Sequence, residues 1–175
     1  YEMDLFYLAF GIVMRFEGAG MPHQVEHDAG SLTCWGISRT HHPELFSGPD
    51  NSIPPTKEAA MYVFRDEYWG VCRCDELQPS VALVIFDTAI NQGSRTAIKI
   101  LQKAANDNGH DLLIDGRIGP KTISAAKSVK EKHLLRDFTT RRILRYTRTT
   151  QVDRFGRGWV RRAVDVTQQA FEFFT

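Results

Sequence analysis

Pro79-Ser80-Val81-Ala82-Leu83-Val84-Ile85-Phe86-Asp87-Thr88-Ala89-Ile90-Asn91-Gln92-Gly93 is the stretch on which the fold turns. Pro79 and Ser80 suit the opening of a helix, and Gly93 suits its end. Between them, residues 81–86 are apolar on every side, so the helix offers water no face. Such a helix belongs at the buried centre of a bundle. Asp87 and Asn91 break the pattern at i and i+4, with Gln92 beside them. Polar groups on a buried helix need partners, so these side chains either tie down the interior or line a cleft.

Helical periodicity continues on both sides of this centre. Upstream, Leu5, Leu8, Ala9, Ile12, Val13 and Phe16 share one helical face, and Gly18 can stop the helix. This apolar run has the length of a secretory core segment. However, Glu2 and Asp4 precede it in place of Lys or Arg, no small-x-small site follows, and it is too short to span a bilayer. It therefore reads as a buried first helix, and no signal peptide is recognised. Thr56, after Pro54-Pro55, caps a helix to about Trp69. Ser94 caps another to about Asp107, closed by Asn108-Gly109, and Pro120 suits the first position of a short one. Two Arg-rich helices are predicted near 130–149 and 158–173, with a glycine-containing link at 153–158 between them.

Residues 18–55 differ from the rest. Gly, Pro, His, Asp and Ser dominate there, with a short strand predicted around Thr33–Ser38. Irregular stretches of this length are uncommon in compact domains and often functional. The expected fold class is mainly α, an α+β arrangement of helices around a central buried helix with a small irregular or β insert near the N-terminus. One domain is expected over 1–175, with a C-terminal helical part, 94–175, packed on it.

The 175 residues are 42% apolar and 25% charged, which excludes disorder, collagen-like structure and a multi-span membrane protein. A chain of this length buries roughly two thirds of its unfolded surface and needs neither metal nor disulfide to hold a core. The formal charge of +1 averages two unlike parts. Residues 1–126 carry 10 basic and 16 acidic side chains, whereas 127–175 carry 12 and 5. The basic part suits a polyanionic partner or simply a solvated helical surface. Cys34, Cys72 and Cys74 are odd in number and poorly spaced for disulfides, so they read as free thiols. The six histidines form no metal signature, and no metal or cofactor is expected.

Several side chains could carry chemistry. Glu17 stands where an apolar helix gives way to the irregular segment. A carboxylate there meets the negative end of the helix dipole, which suits a proton donor. Asp28 and Thr33 add a second carboxylate and a hydroxyl, with Gly30 and Gly36 allowing close backbone approach to a ligand. Carboxylates on opposite sides of a cleft are what glycoside hydrolysis requires. Trp35, Tyr68, Trp69, Phe155 and Trp159 are either core or faces on which sugar rings stack.

These stretches resemble glycoside hydrolase family 108, the phage and bacterial N-acetylmuramidases, and more distantly the phage-type lysozymes. The matching elements are Phe16-Glu17-Gly18, the run from Asp28 to Ser38, Tyr68-Trp69, Cys74-Asp75-Glu76-Leu77 and Phe86-Asp87-Thr88-Ala89-Ile90-Asn91-Gln92-Gly93. They continue in Leu101-Gln102-Lys103-Ala104, in the run from Ile114 to Thr122, and in Phe155-Gly156-Arg157-Gly158-Trp159. The resemblance implies a lysozyme-like peptidoglycan hydrolase, with a C-terminal part like a peptidoglycan-binding region. It would cleave the β-1,4 bond between N-acetylmuramic acid and N-acetylglucosamine. The resemblance makes Glu17 the catalytic acid, aided by Asp28 and Thr33, with Tyr68, Asp87, Asn91 and Gln92 facing the substrate.

A lytic transglycosylase, which needs the acid but no second carboxylate, is one alternative. A non-catalytic peptidoglycan-binding protein is another. The expected partner is the glycan strand of peptidoglycan, met by a monomer without stable membrane insertion. Nucleic acid is not expected, because no recognition motif accompanies the Arg-rich helices. As a phage endolysin the protein would gather in the host cytoplasm before release and act on the cell wall.

Overall fold

Asp4 starts the first helix: one carboxylate oxygen accepts the Phe6 amide at 3.0 Å, and the other takes Arg65 Nη1 at 2.8 Å. Burial opposes this charge, but the Arg65 and Phe6 hydrogen bonds outweigh it and hold the carboxyl below its ordinary value. The computed structural model describes residues 4–18, 23–24 and 32–174, with side chains left out for 23, 24, 173 and 174. It contains two compact units, Tyr1–Glu67 and Tyr68–Thr175.

In the first unit, α1 (Leu5–Met14) buries Phe6, Ala9, Phe10, Ile12, Val13 and Met14. Phe10 meets Phe64 edge to face at 5.6 Å. The α-helix stops at Met14, short of the last apolar residue of the periodic pattern. The Phe16 and Glu17 amides instead bond back to Val13 and Met14, three residues behind them, tightening the chain into a turn that Gly18 ends. The irregular segment holds a three-stranded antiparallel sheet of β1 (His23–Gln24), β2 (Leu32–Cys34) and β3 (Ile37–Ser38), in that order. Thr33 stands opposite His23 on one side and Ser38 on the other. Two 3-10 turns follow, Pro43–Leu45 and Pro49–Asn51, and Arg39 Nη1 donates to the carbonyls of Asp50 and Asn51. Then α2 (Lys57–Phe64) begins as expected, with Thr56 Oγ1 accepting the Ala59 amide at 3.2 Å. Its α-turns end at Phe64, and residues Arg65–Gly70 widen into a π-helix where an α-helix to Trp69 was expected.

The second unit is a helical bundle. Its centre is α3 (Pro79–Gln92), in which Ser80 through Ala89 are all buried. Around it pack α4 (Ser94–Asp107), α6 (Glu131–Tyr146) and α7 (Val152–Phe174), while α5 (Pro120–Ser128) rests on α4. Gly93, at φ +88, separates α3 from α4, so Ser94 is the first helical residue and not its cap. Trp69 is core: its ring meets Phe86 edge to face at 5.3 Å, and its Nε1 donates to Asp75 at 2.8 Å. Cys34, Cys72 and Cys74 are buried free thiols. Burial pushes the Cys74 thiol well up from its ordinary value.

The link expected at 153–158 is helical. Its residues belong to α7, whose inner stripe Val152, Gly156, Trp159, Ala163, Val166 and Ala170 keeps steps of three and four straight through both glycines. Each glycine costs about 1 kcal/mol in helix propensity, and burying a continuous stripe over this length outweighs that. Gly156 is itself a contact residue, since a Cβ there would lie 2.8 Å from Val152 Cγ2.

The Asp115-Gly116-Arg117 turn is held from α4. Gln102 Nε2 donates to Asp115 Oδ1 at 2.8 Å and to the Arg117 carbonyl at 3.0 Å, and Gln102 Oε1 accepts the Gly116 amide at 3.0 Å. The Gln102 hydrogen bond, then the Arg117 amide, hold the Asp115 carboxyl below its ordinary value. Gln102 is 2% exposed, so these hydrogen bonds are made out of reach of bulk solvent. Gln102→Leu should therefore lower stability by about 1–3 kcal/mol, the cost of stranding buried polar groups. Urea unfolding tests this, and an unchanged midpoint would show that the turn stands without the glutamine.

Candidate active site

The first unit builds a seat for Glu17. Cys34 and Ile37 pair across a two-residue hairpin turn, Trp35-Gly36, in which both residues have positive φ, +53 and +74. That is the turn whose twist matches a β-hairpin, and it favours glycine at these positions. Gly36 has a second reason to lack a side chain. A Cβ there would lie 2.9 Å from Phe64 Cζ, 3.5 Å from Glu17 Cβ and 3.6 Å from Glu17 Cγ. The turn thus lies directly against the stem of Glu17, with Phe64 from α2 behind it. Glu17 is half-buried, so its carboxyl is partly withdrawn from water while its aliphatic stem is confined. Thr33 is half-buried on β2, one residue before the hairpin's last paired position. Asp28 lies outside the described residues.

The remaining expected site residues belong to the second unit, and they divide. Asp87 has no exposed surface. Arg142 Nη1 lies 2.7 Å from one of its carboxylate oxygens, and Arg162 Nε and Nη2 each lie 2.9 Å from the other. The expectation that Asp87 faces the substrate is corrected here: its charge is committed to two guanidiniums, and no surface is left for a ligand to touch. Arg142 is also fully buried, and its Nε donates to Tyr146 Oη at 2.9 Å. Tyr146 in turn donates to Asn91 Oδ1 at 2.6 Å. One chain of polar contacts therefore joins α3, α6 and α7.

Asn91 and Gln92 stand at the edge of that network and border a cleft of about 180 Å³ with Arg145, Tyr146, Thr149 and Trp159. Trp159 stacks on Tyr146 at 5.3 Å and lies 5.7 Å from Phe155, which gives the cleft an aromatic wall. Neither polar atom of the Gln92 amide has a hydrogen-bond partner among the described residues, although both are buried. The amide is enclosed, and the half-buried remainder of Gln92 borders the cleft. Tyr68 is half-buried in the π-helical stretch.

Arg142, Arg162 and Tyr146 were not singled out from sequence. A signal was there for two of them: Leu135, Phe138, Arg142 and Tyr146 share one stripe of α6, which puts an arginine on an apolar face. For Gly36 the sign was the Trp35-Gly36 pair inside a predicted strand. Among the described residues, no group of three His, Cys, Asp or Glu side chains could hold a metal ion.

Residues 10–93 match the family model for glycosyl hydrolase 108, and residues 96–164 match that for a predicted peptidoglycan domain. Among solved structures the chain is similar to Brucella abortus SagA, at 28% identity and a TM-score of 0.79, over 96% of this chain and 94% of that one. A comparison with curated protein sequences finds no match.

The buried cluster gives a direct expectation for stability. Asp87→Asn keeps the shape but leaves Arg142 and Arg162 facing a neutral amide. Removing one partner of a buried charge group costs about 3–5 kcal/mol, so chemical denaturation should show a loss of that size. A loss below about 1 kcal/mol would mean that the two guanidiniums are held by other groups.

Proposed function

We propose that the chain, whose residues 10–93 match the family model for glycosyl hydrolase 108 and whose residues 96–164 match that for a predicted peptidoglycan domain, is a peptidoglycan hydrolase of the N-acetylmuramidase type using Glu17 as its general acid. The observation that carries the role of Glu17 is its seat. The stem is pinned between a side-chain-free turn and the end of a helix, so the carboxyl has few positions to adopt. Preorganisation of this kind is what a proton donor needs.

In the proposed step, the Glu17 carboxyl gives its proton to the oxygen linking N-acetylmuramic acid to N-acetylglucosamine. The bond from the muramic anomeric carbon to that oxygen breaks, and the electron pair leaves with the oxygen. Asp28 and Thr33 are assigned to the positive charge that grows at the anomeric carbon and to the water that adds there. The oxygen of that water stays on the sugar, and its proton passes to a carboxylate. Tyr68, Asn91 and Gln92, with the Trp159 wall, contact the glycan strand from the second unit. Asp87 keeps α3, α6 and α7 in register and touches no substrate.

General acid catalysis contributes about 10²–10⁴ in rate. Glu17→Gln should lower turbidity loss of purified peptidoglycan by at least that factor with an unchanged melting temperature. Retained activity would remove Glu17 from the chemistry. Mass spectrometry of the released fragments checks the bond. Reducing N-acetylmuramic acid ends are expected, anhydro ends would mean a transglycosylase, and reducing N-acetylglucosamine ends a glucosaminidase.

Gly36→Ala tests the seat itself. A methyl group at φ +74 would lie 2.9 Å from Phe64 Cζ and strain the turn that touches the Glu17 stem, and misplacing a catalytic group by about 1 Å costs on the order of 10²-fold. The turnover number should fall by 10- to 100-fold with substrate affinity little changed, and unaltered turnover would show that the hairpin does not position Glu17.

A further inference from the structure

Helices α4 and α6 border a groove of about 300 Å³ in the second unit, away from the Asn91–Trp159 cleft apart from the shared Arg145. Arg95, Lys99 and Lys103 enter it from α4 at i, i+4 and i+8, and Arg141, Arg145 and Arg148 enter from α6 and the turn after it. Arg141 is tied to Asp107 by a two-pronged ion pair. Among the described residues, none of the other five cations meets a carboxylate. Like charges four residues apart on a helix repel, and two such rows facing each other compound the cost. A groove so lined attracts an anion.

The positions of these cations are supported from below. Gly116 comes so close that a Cβ there would lie 2.6 Å from Arg95 Cγ and 3.2 Å from Lys99 Cε. The Asp115–Arg117 turn, itself held by Gln102, therefore limits where the Arg95 and Lys99 stems can swing. The floor is Thr96, Ile100 and Leu144. No aromatic side chain lines the groove, so it offers no platform on which a nucleobase would stack.

One cation per helical turn over eight residues spaces positive charge about 6 Å apart along roughly 12 Å. We propose that this groove binds a linear phosphodiester anion without bases, a polyol- or sugar-phosphate chain of the cell envelope. Guanidinium groups on both walls take phosphate oxygens in pairs, and the lysines add point charges. The hydrolase reading enters only in naming the envelope as the source. The site would hold the enzyme on its wall through a polymer that it does not cut.

The test is calorimetric titration of the full chain with a synthetic hexamer of glycerol phosphate at several salt concentrations. The wild type should bind with log K falling linearly in log[salt]. Lys99→Gln with Arg145→Gln should weaken binding at least tenfold and reduce the slope by about 1.5, two phosphate contacts' worth at 0.7–0.9 each. Lys103→Gln with Arg148→Gln should do the same. Arg154→Gln with Arg157→Gln, which removes equal charge from α7, should change affinity less than twofold. Unchanged binding in both groove variants would overturn the proposal, as would an equal loss in the α7 control. So would binding at least as tight to poly-glutamate, to a single-stranded DNA 12-mer or to phosphatidylglycerol vesicles. Turnover of phosphate-free peptidoglycan by Lys103→Gln with Arg148→Gln should match wild type, and Glu17→Gln should bind the hexamer as wild type does. Failure of the groove and failure of the hydrolase reading therefore give different results.

Discussion

A single carboxylate with no access to water, Asp87, is gripped by guanidiniums from two other helices, and the second unit is organised around that arrangement. The apolar faces of α3 would pack against many partners, because hydrophobic burial has no direction. A charge in the same helix does have one. Arg142 and Arg162 satisfy Asp87 only when α6 and α7 stand at particular rotations and heights, and Tyr146 carries the same constraint on to Asn91. The cost of desolvating these groups is large, and what it provides here is registry between three helices.

The first unit solves a different problem with different means. On the proposed reading its task is to place one acidic side chain at the end of a helix, and it does so by removing atoms. Gly36 has no side chain, its φ is one that other residues adopt only with strain, and the space so opened is filled by the stem of Glu17 and the edge of Phe64. In one unit precision comes from pairing a buried charge, in the other from a missing methyl group.

Much of this was legible in the chain. The all-round apolar run at 81–86 marks the central helix, Thr56 and Pro120 mark helix starts, and the Gly-, Pro- and His-rich stretch marks the place of the small sheet. What was not legible depends on distance in space. Asp87 and Asn91 stood out as polar groups needing partners, but those partners lie 55 and 75 residues away, as the Tyr146–Asn91 and Arg162–Asp87 bonds show. The helix through Gly156 and Gly158 was missed because glycine pairs signal a break locally, whereas the stripe that keeps α7 going is apparent only over its full length. At Gly36 a strand was expected where the chain turns, and its contact with Glu17 was not visible in the sequence.

The ion cluster also bears on how such a protein can be inherited. The match to the hydrolase family ends at residue 93 and that to the peptidoglycan domain begins at 96, as though two cassettes met at Gly93. Asp87 lies before that join, while Arg142 and Arg162 lie after it. Neither cassette can then be exchanged for an unrelated one without leaving buried charge of one sign unanswered. An exchange at the apparent seam would separate Asp87 from its two guanidiniums, and a neutral residue at 87 would call for neutral partners at 142 and 162. What looks in sequence like a modular enzyme with an attached binding domain is, through one carboxylate, a single heritable piece.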